Sequence, residues 1–267
     1  MSNLTAALTS PFNIIRGVLN RFFIYIGELS FLVVRSIVYI FRGNIDVRDS
    51  LSQMAVIGFN SIPIAVLTTF SSGSVIALYV APEFIKYGAE GLTGAMVAFI
   101  IGRELVPVLV GVVVAARAGS AIAAEIGTMK VSEQIDAIEA SAVDPKKLLA
   151  ATRIAACIVV LPLLTLAASF FGVLMGWVAA TLIEPISLTR FLSEGFKGAG
   201  FKDFLPPTFK TCVYGLIIGT VACFQGMRAK GGAEGVGSAA TTSVVLSSLF
   251  VILADVILVK VILLLFP

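Results

Sequence analysis

The chain has 267 residues, of which 58% are hydrophobic and 13% charged, and its mean hydropathy is +1.02. That composition lies outside the range of soluble domains and calls for a bilayer as solvent. The formal charge of +3 is too small and too dispersed to indicate a nucleic-acid partner, and the absence of histidine removes histidine-based catalysis and the commonest metal ligand.

The first ten residues lack a basic segment followed by an apolar one and a cleavage site, so no secretory signal is expected. From Phe12 to Phe41 an apolar sequence carries Arg21, Glu28, Arg35 and Arg42 at seven-residue steps. Such steps drift only about 20° around a helix, which leaves one narrow charged stripe. A spanning helix would bury Glu28 and Arg35 at roughly 2.5–3.5 kcal/mol each, whereas an amphipathic helix in the interface keeps them among headgroups. Residues 1–53 are therefore read as an interfacial helical region, and 54–267 as a five-span domain.

Five stretches, near 54–80, 91–116, 150–183, 208–227 and 241–266, are long and apolar enough to cross a core that takes ~20 helical residues. The fold class is thus an all-α membrane protein: an interfacial helix, five transmembrane helices, and a short helix between spans two and three. With the N-terminus inside, twelve Lys and Arg flank the inner side and four the outer, which orients the chain with N-terminus cytoplasmic and C-terminus outside. Two ladders of small residues, Gly111, Ala115, Gly119, Ala123 and Gly127, and then Gly172 and Gly176, allow close helix approach within the chain or across a dimer seam.

Ionisable residues inside spans are the sharpest functional signal, because they usually face a bundle interior or a wet cavity. Arg103 and Glu104 fall halfway along the second span, Asp255 halfway along the fifth, and Lys210 near the outer end of the fourth, above the carboxylates. They read either as structural ion pairs or as a polar patch that meets a ligand's headgroup, with Lys210 a candidate for phosphate. Arg103 is the weakest contact, since it points some 100° away from Glu104.

Between spans two and three, residues 128–141 are expected to form a short helix with Met129, Ile135, Ile138 and Ala142 on one face and Glu133, Asp136 and Glu139 on the other. Asp144-Pro145 should stop it. It is either a connector on the headgroups or a knob for a soluble partner. The stretch Gly231–Ser238 lacks the setting of a nucleotide loop and is expected to be a flexible inner loop, and no Gly-Lys dipeptide exists for a phosphate-binding loop. Cys157, Cys212 and Cys223 lie in apolar stretches with no metal or disulfide spacing.

Gly102-Arg-Glu-Leu-Val-Pro107, then Ala115-Ala-Arg-Ala-Gly-Ser through Glu125-Ile-Gly-Thr-Met-Lys-Val-Ser-Glu-Gln-Ile-Asp-Ala137 and Val143-Asp-Pro145, resemble the MlaE/YrbE permease family over residues 12–267. The resemblance implies a homodimer in a bacterial inner membrane, or in an organellar membrane of bacterial descent. It also implies cytoplasmic ABC ATPase subunits that bind ATP and Mg, so that this chain is no enzyme and carries no cofactor, and an MCE-domain partner that exchanges lipid with it. By the same resemblance Glu104, Lys210 and Asp255 line or support a lipid cavity. The helix near 128–141, with Glu125, Met129, Lys130, Glu133, Gln134, Asp136 and Glu139, would couple to the ATPase. The rival from the residues themselves is an ATP-independent carrier that uses Glu104 and Asp255 as proton sites.

Overall fold

The computed structural model describes residues 2–43, 45–89, 92–198 and 201–265, with side chains except at positions 2–15, 18, 21, 22, 196–198 and 201–204. The described residues form helices and their connections: α1 (Ser2–Phe41), α2 (Val47–Lys86), α3 (Thr93–Ile100), α4 (Val106–Val114), α5 (Ser120–Val131), α6 (Gln134–Ala140), α7 (Thr152–Thr181), α8 (Leu188–Gly198), α9 (Phe201–Met227) and α10 (Gly232–Leu265). One-turn π segments, Ile101–Leu105 and Ala115–Gly119, join α3, α4 and α5 into one continuous rod, and a third, Lys146–Ala151, leads into α7. Together they make an all-α, multi-pass membrane protein.

The first π turn has a local cause. Pro107 has no N–H to offer the carbonyl of Arg103 and its ring crowds that carbonyl, so the helix widens there and the Val106 N–H reaches back to the Ile101 carbonyl. Glu104 lies inside this widened turn.

Six helical stretches are long and apolar enough to cross a membrane: Phe23–Phe41, Val47–Lys86, Thr93–Val131, Lys146–Thr181, Leu205–Met227 and Gly232–Leu265. Contacts set the first apart. Near one end of α1's described side chains, Gln225 donates to Tyr25 and Arg228 pairs with Glu28 (3.1 Å); near the other, Tyr39 and Arg35 engage Asp144 at 2.7 and 3.7 Å. Tyr25 and Tyr39 are fourteen residues, roughly 21 Å, apart along the helix. Yet Gln225 and Asp144 both sit where α9 and α7 meet the α6 end of the bundle. α1 therefore runs across that end instead of alongside the spans, as its charged stripe requires.

α9 is the central helix, with 72% of its apolar window buried against 6% for α10. Its close approach depends on glycine: a Cβ on Gly215 would lie 2.4 Å from the Cys157 carbonyl oxygen of α7. The α2–α7 pair is equally tight at Gly73, whose Cβ would stand 2.1 Å from the Gly172 carbonyl oxygen. The ladders predicted from sequence serve these intrachain seams. Gly111 faces Tyr214 and Val251, Gly119 faces Ile218 and Ser243, Ala115 is fully buried, and Gly172 and Gly176 receive α2 and the α3 region.

Three sequence expectations change. The second span does not stop near residue 116 but continues as helix to Val131, so Arg117 lies within a rod and not in a loop. The expected helix over 128–141 is broken by a turn at Ser132-Glu133, with Glu133 at φ 60°; it ends at Ala140, and Ala142 at φ 60° is exposed, before Asp144-Pro145 can act. Last, Gly232–Ser238 is the start of α10: Glu234 suits the positive end of the helix dipole, and Val236 packs over Gly127 of α5. α8 was not foreseen from the sequence. Its buried Phe191 sits against α3 at Gly94, and the Trp177 indole N–H donates to the Ile186 carbonyl at 2.9 Å to fix the preceding turn.

Candidate functional site

Three spans converge on Lys210. Its ammonium lies 2.8 Å from Glu104 Oε2 and 2.8 Å from Asp255 Oδ1, and Tyr214, one turn further along α9, donates its hydroxyl to the same Asp255 oxygen. The Lys210 side chain is 1% exposed, Asp255 18% and Glu104 43%. The cluster thus carries one lysine and two carboxylates and is most open on the Glu104 side.

Lys210 does not stand above the carboxylates as its sequence position suggested. α9 begins at Phe201, so Lys210 lies more than two turns inside the helix, level with its partners. Burial also removes it as a direct phosphate contact: an approaching anion would meet the Glu104 carboxylate first, at a repulsive distance. Arg103 is not part of the cluster; its guanidinium lies over the Phe99 ring, 5.0 Å from the centroid.

Tyr214 was missed by sequence reasoning. The available signal was its i,i+4 spacing from Lys210, which puts both on one face of α9. Gly111 completes the arrangement, because a Cβ there would stand 3.1 Å from the Tyr214 ring.

At the α6 end the residues expected to couple to a partner divide into two sets. Glu125 accepts from Arg153 at 2.7 Å, tying α5 to α7; the arginine side chain is 4% exposed and also donates to the Leu149 carbonyl. Lys130 pairs with Asp136 at 2.6 Å across the Ser132-Glu133 turn, and Ile135 is buried beneath α6 while Met129 and Ile138 pack on the core. Glu133, Gln134, Asp136 and Glu139 remain exposed on the outer side. α6 is thereby a short, internally braced protrusion with an acidic, solvent-facing surface.

Beside it, the Asp144 carboxyl is raised by burial, but hydrogen bonds from Tyr39 and from the Lys146 backbone N–H, with the Arg35 charge, outweigh that and hold it below the ordinary carboxylate range. The described residues contain no group of three or more Cys, Asp or Glu placed to hold a metal ion.

The family described as Permease MlaE matches residues 50–261 of the chain. A probable ABC transporter permease protein of Synechocystis sp. is 40% identical over 225 residues, covering 84% of this chain and 86% of the relative. A probable ABC transporter permease protein of Rickettsia typhi is 38% identical over 205 residues, 77% and 79% of the two chains. The Arabidopsis thaliana protein TRIGALACTOSYLDIACYLGLYCEROL 1, chloroplastic, is 33% identical over 219 residues, 82% of this chain and 63% of the plant protein.

Proposed function

This chain belongs to the MlaE permease family, and from that premise we propose that it is the membrane subunit of an ABC-type transporter that moves a phospholipid-like amphiphile. ATP is hydrolysed by a separate cytoplasmic subunit, and lipid is exchanged with an MCE-domain partner on the other side. The α6 end is cytoplasmic, in agreement with the surplus of Lys and Arg there, and the membrane is a bacterial inner membrane. The name of the plant relative, built on a glycolipid, supports a lipid as cargo.

The observation that carries this reading is the Lys210 cluster. A charged triad in the middle of spanning helices is expensive unless it is paired, and a purely structural pairing would be closed on every side. Here Glu104 keeps a surface open, with a carboxylate oxygen available to donor groups. A headgroup hydroxyl or ammonium fits that surface. Two copies of the chain would frame the cavity, and α10 leaves a long apolar face for lipid or a second copy, with Val245 65%, Val256 69% and Ile257 66% exposed. The acidic protrusion of α6, braced by Lys130 and Ile135, supplies the surface on which the ATPase pushes.

The test is ATP-driven transfer of labelled phospholipid from liposomes holding the chain with its ATPase. Glu104→Gln leaves the Lys210–Asp255 pair intact and should lower transfer at least tenfold with ATPase association retained. Unchanged transfer would sink the assignment. The carrier alternative draws on the same linked Glu104, Lys210, Asp255 and Tyr214; transport by the chain alone on a pH gradient would favour it.

A further inference from the structure

The hydrogen-bond donors of the Lys210 cluster are sealed within it. The Lys210 side chain is 1% exposed and bonds Glu104 Oε2 and Asp255 Oδ1, while the fully buried Tyr214 gives its hydroxyl to that same Asp255 oxygen. The acceptors are not used up. Glu104 Oε1 and Asp255 Oδ2 have no hydrogen-bond partner among the described residues, and Glu104 is 43% exposed. Whatever reaches the cluster from outside therefore meets carboxylate oxygens and no donor.

The charges do not balance either. Two carboxylates stand against one ammonium, which leaves one negative charge in excess. The adjacent cation, Arg103, lies over the Phe99 ring and pairs with neither carboxylate. Three helices place this excess at the same depth: Glu104 is eleven residues from the Thr93 end of its rod, Lys210 nine from Phe201, and Asp255 ten from Leu265. At 1.5 Å per residue each is roughly 14–17 Å from the helix ends opposite α6, about half of a ~30 Å hydrocarbon core. An unbalanced carboxylate at that depth is costly until a cation meets it.

Headgroup chemistries differ in how they meet these two demands. A phosphate brings like charge to a surface without donors. A hydroxyl donates a hydrogen bond but leaves the charge unbalanced, and a quaternary ammonium balances the charge but has no N–H. A protonated primary amine satisfies both, with three donors for the open oxygens and the missing positive charge.

We propose that the Glu104 side of the cluster selects amphiphiles whose headgroup ends in a protonated primary amine, of which phosphatidylethanolamine is the simplest phospholipid. The amine enters first and the phosphate stays outside the carboxylates. This deepens the transport reading and rests on it for the site's being a lipid site. In the test, the full chain, stripped of lipid in detergent, is titrated with phosphatidylethanolamine, phosphatidylcholine and phosphatidylglycerol of identical tails, and bound species are counted by native mass spectrometry. The wild type should retain phosphatidylethanolamine at least tenfold better than phosphatidylglycerol, with phosphatidylcholine between them. Glu104→Gln should bring phosphatidylethanolamine down to the phosphatidylglycerol level. Glu104→Asp, which withdraws the carboxylate by one methylene, should narrow the preference and carries the comparison if the glutamine variant does not fold.

Equal retention of the three lipids by the wild type overturns the proposal and leaves the excess charge to a proton or a second copy. A preference that persists in folded Glu104 variants overturns it as well. Phosphatidylcholine held as tightly as phosphatidylethanolamine overturns the primary amine as the selected group. Displacement of the lipid by millimolar ethanolamine overturns the lipid as ligand. An amine preference that stands while no lipid of any headgroup moves with ATP would count against the transport reading alone.

Discussion

The Lys210 cluster and the α1 joint both tie helices together with opposite charges, yet they do opposite things with them. At the joint, Arg35 is 43% exposed and Asp144 28%, and Glu28 and Arg228 are about half exposed, so water screens every member. Around Lys210 the cation is sealed, and Glu104 is the more exposed of its two carboxylates. Exposed pairs set where a helix rests at little energetic cost or gain, whereas a sealed cation commits its neighbours: remove it and two carboxylates are left facing each other.

The largest test of that contrast is Lys210→Met. It should destabilise the chain by about 3–5 kcal/mol, read as a lowered Tm in detergent, because uncompensated charge stays buried. Adding Glu104→Gln and Asp255→Asn to the same chain should recover most of the loss. If the triple variant is no more stable than Lys210→Met alone, charge burial is not what the lysine serves.

A control without charge comes next. Gly73→Ala forces a methyl into the Gly172 carbonyl and should cost about 1–3 kcal/mol by pushing α2 from α7, with no change in the cluster's chemistry. A neutral result would mean that this seam is looser than its 2.1 Å approach implies.

The smallest effect belongs to the joint. Arg35→Gln should change stability by no more than about 1 kcal/mol while raising amide exchange in α1. The Asp144 carboxyl is held below its unfolded value, so its contribution is present above the ordinary carboxylate range of about 4 and is lost as pH falls through the folded value. Exchange in α1 should accordingly rise on acidification below that range and not on alkalinisation from neutrality. An α1 unaffected by both changes is not held by these contacts.

Much of the candidate site could be read along the chain because single-residue costs identify it. Glu104, Lys210 and Asp255 stand out against apolar neighbours, and no partner needs to be known to see that each is expensive. Tyr214 did not stand out, since an aromatic in a span is ordinary until its hydroxyl is found on Asp255.

The sequence by itself determined the apolar solvent and the all-helical class, since both follow from transfer free energies that add residue by residue along one helix. Only the tertiary structure decided that Lys210 is sealed between two carboxylates, that the glycine ladders close intrachain seams, and that α6 is a separate braced protrusion. Those facts depend on which helix faces share a neighbour and at what level. Hydropathy fixes a helix's need for lipid or protein but not its rotation or its partner, and close packing at glycine and the pairing of opposite charges settle both.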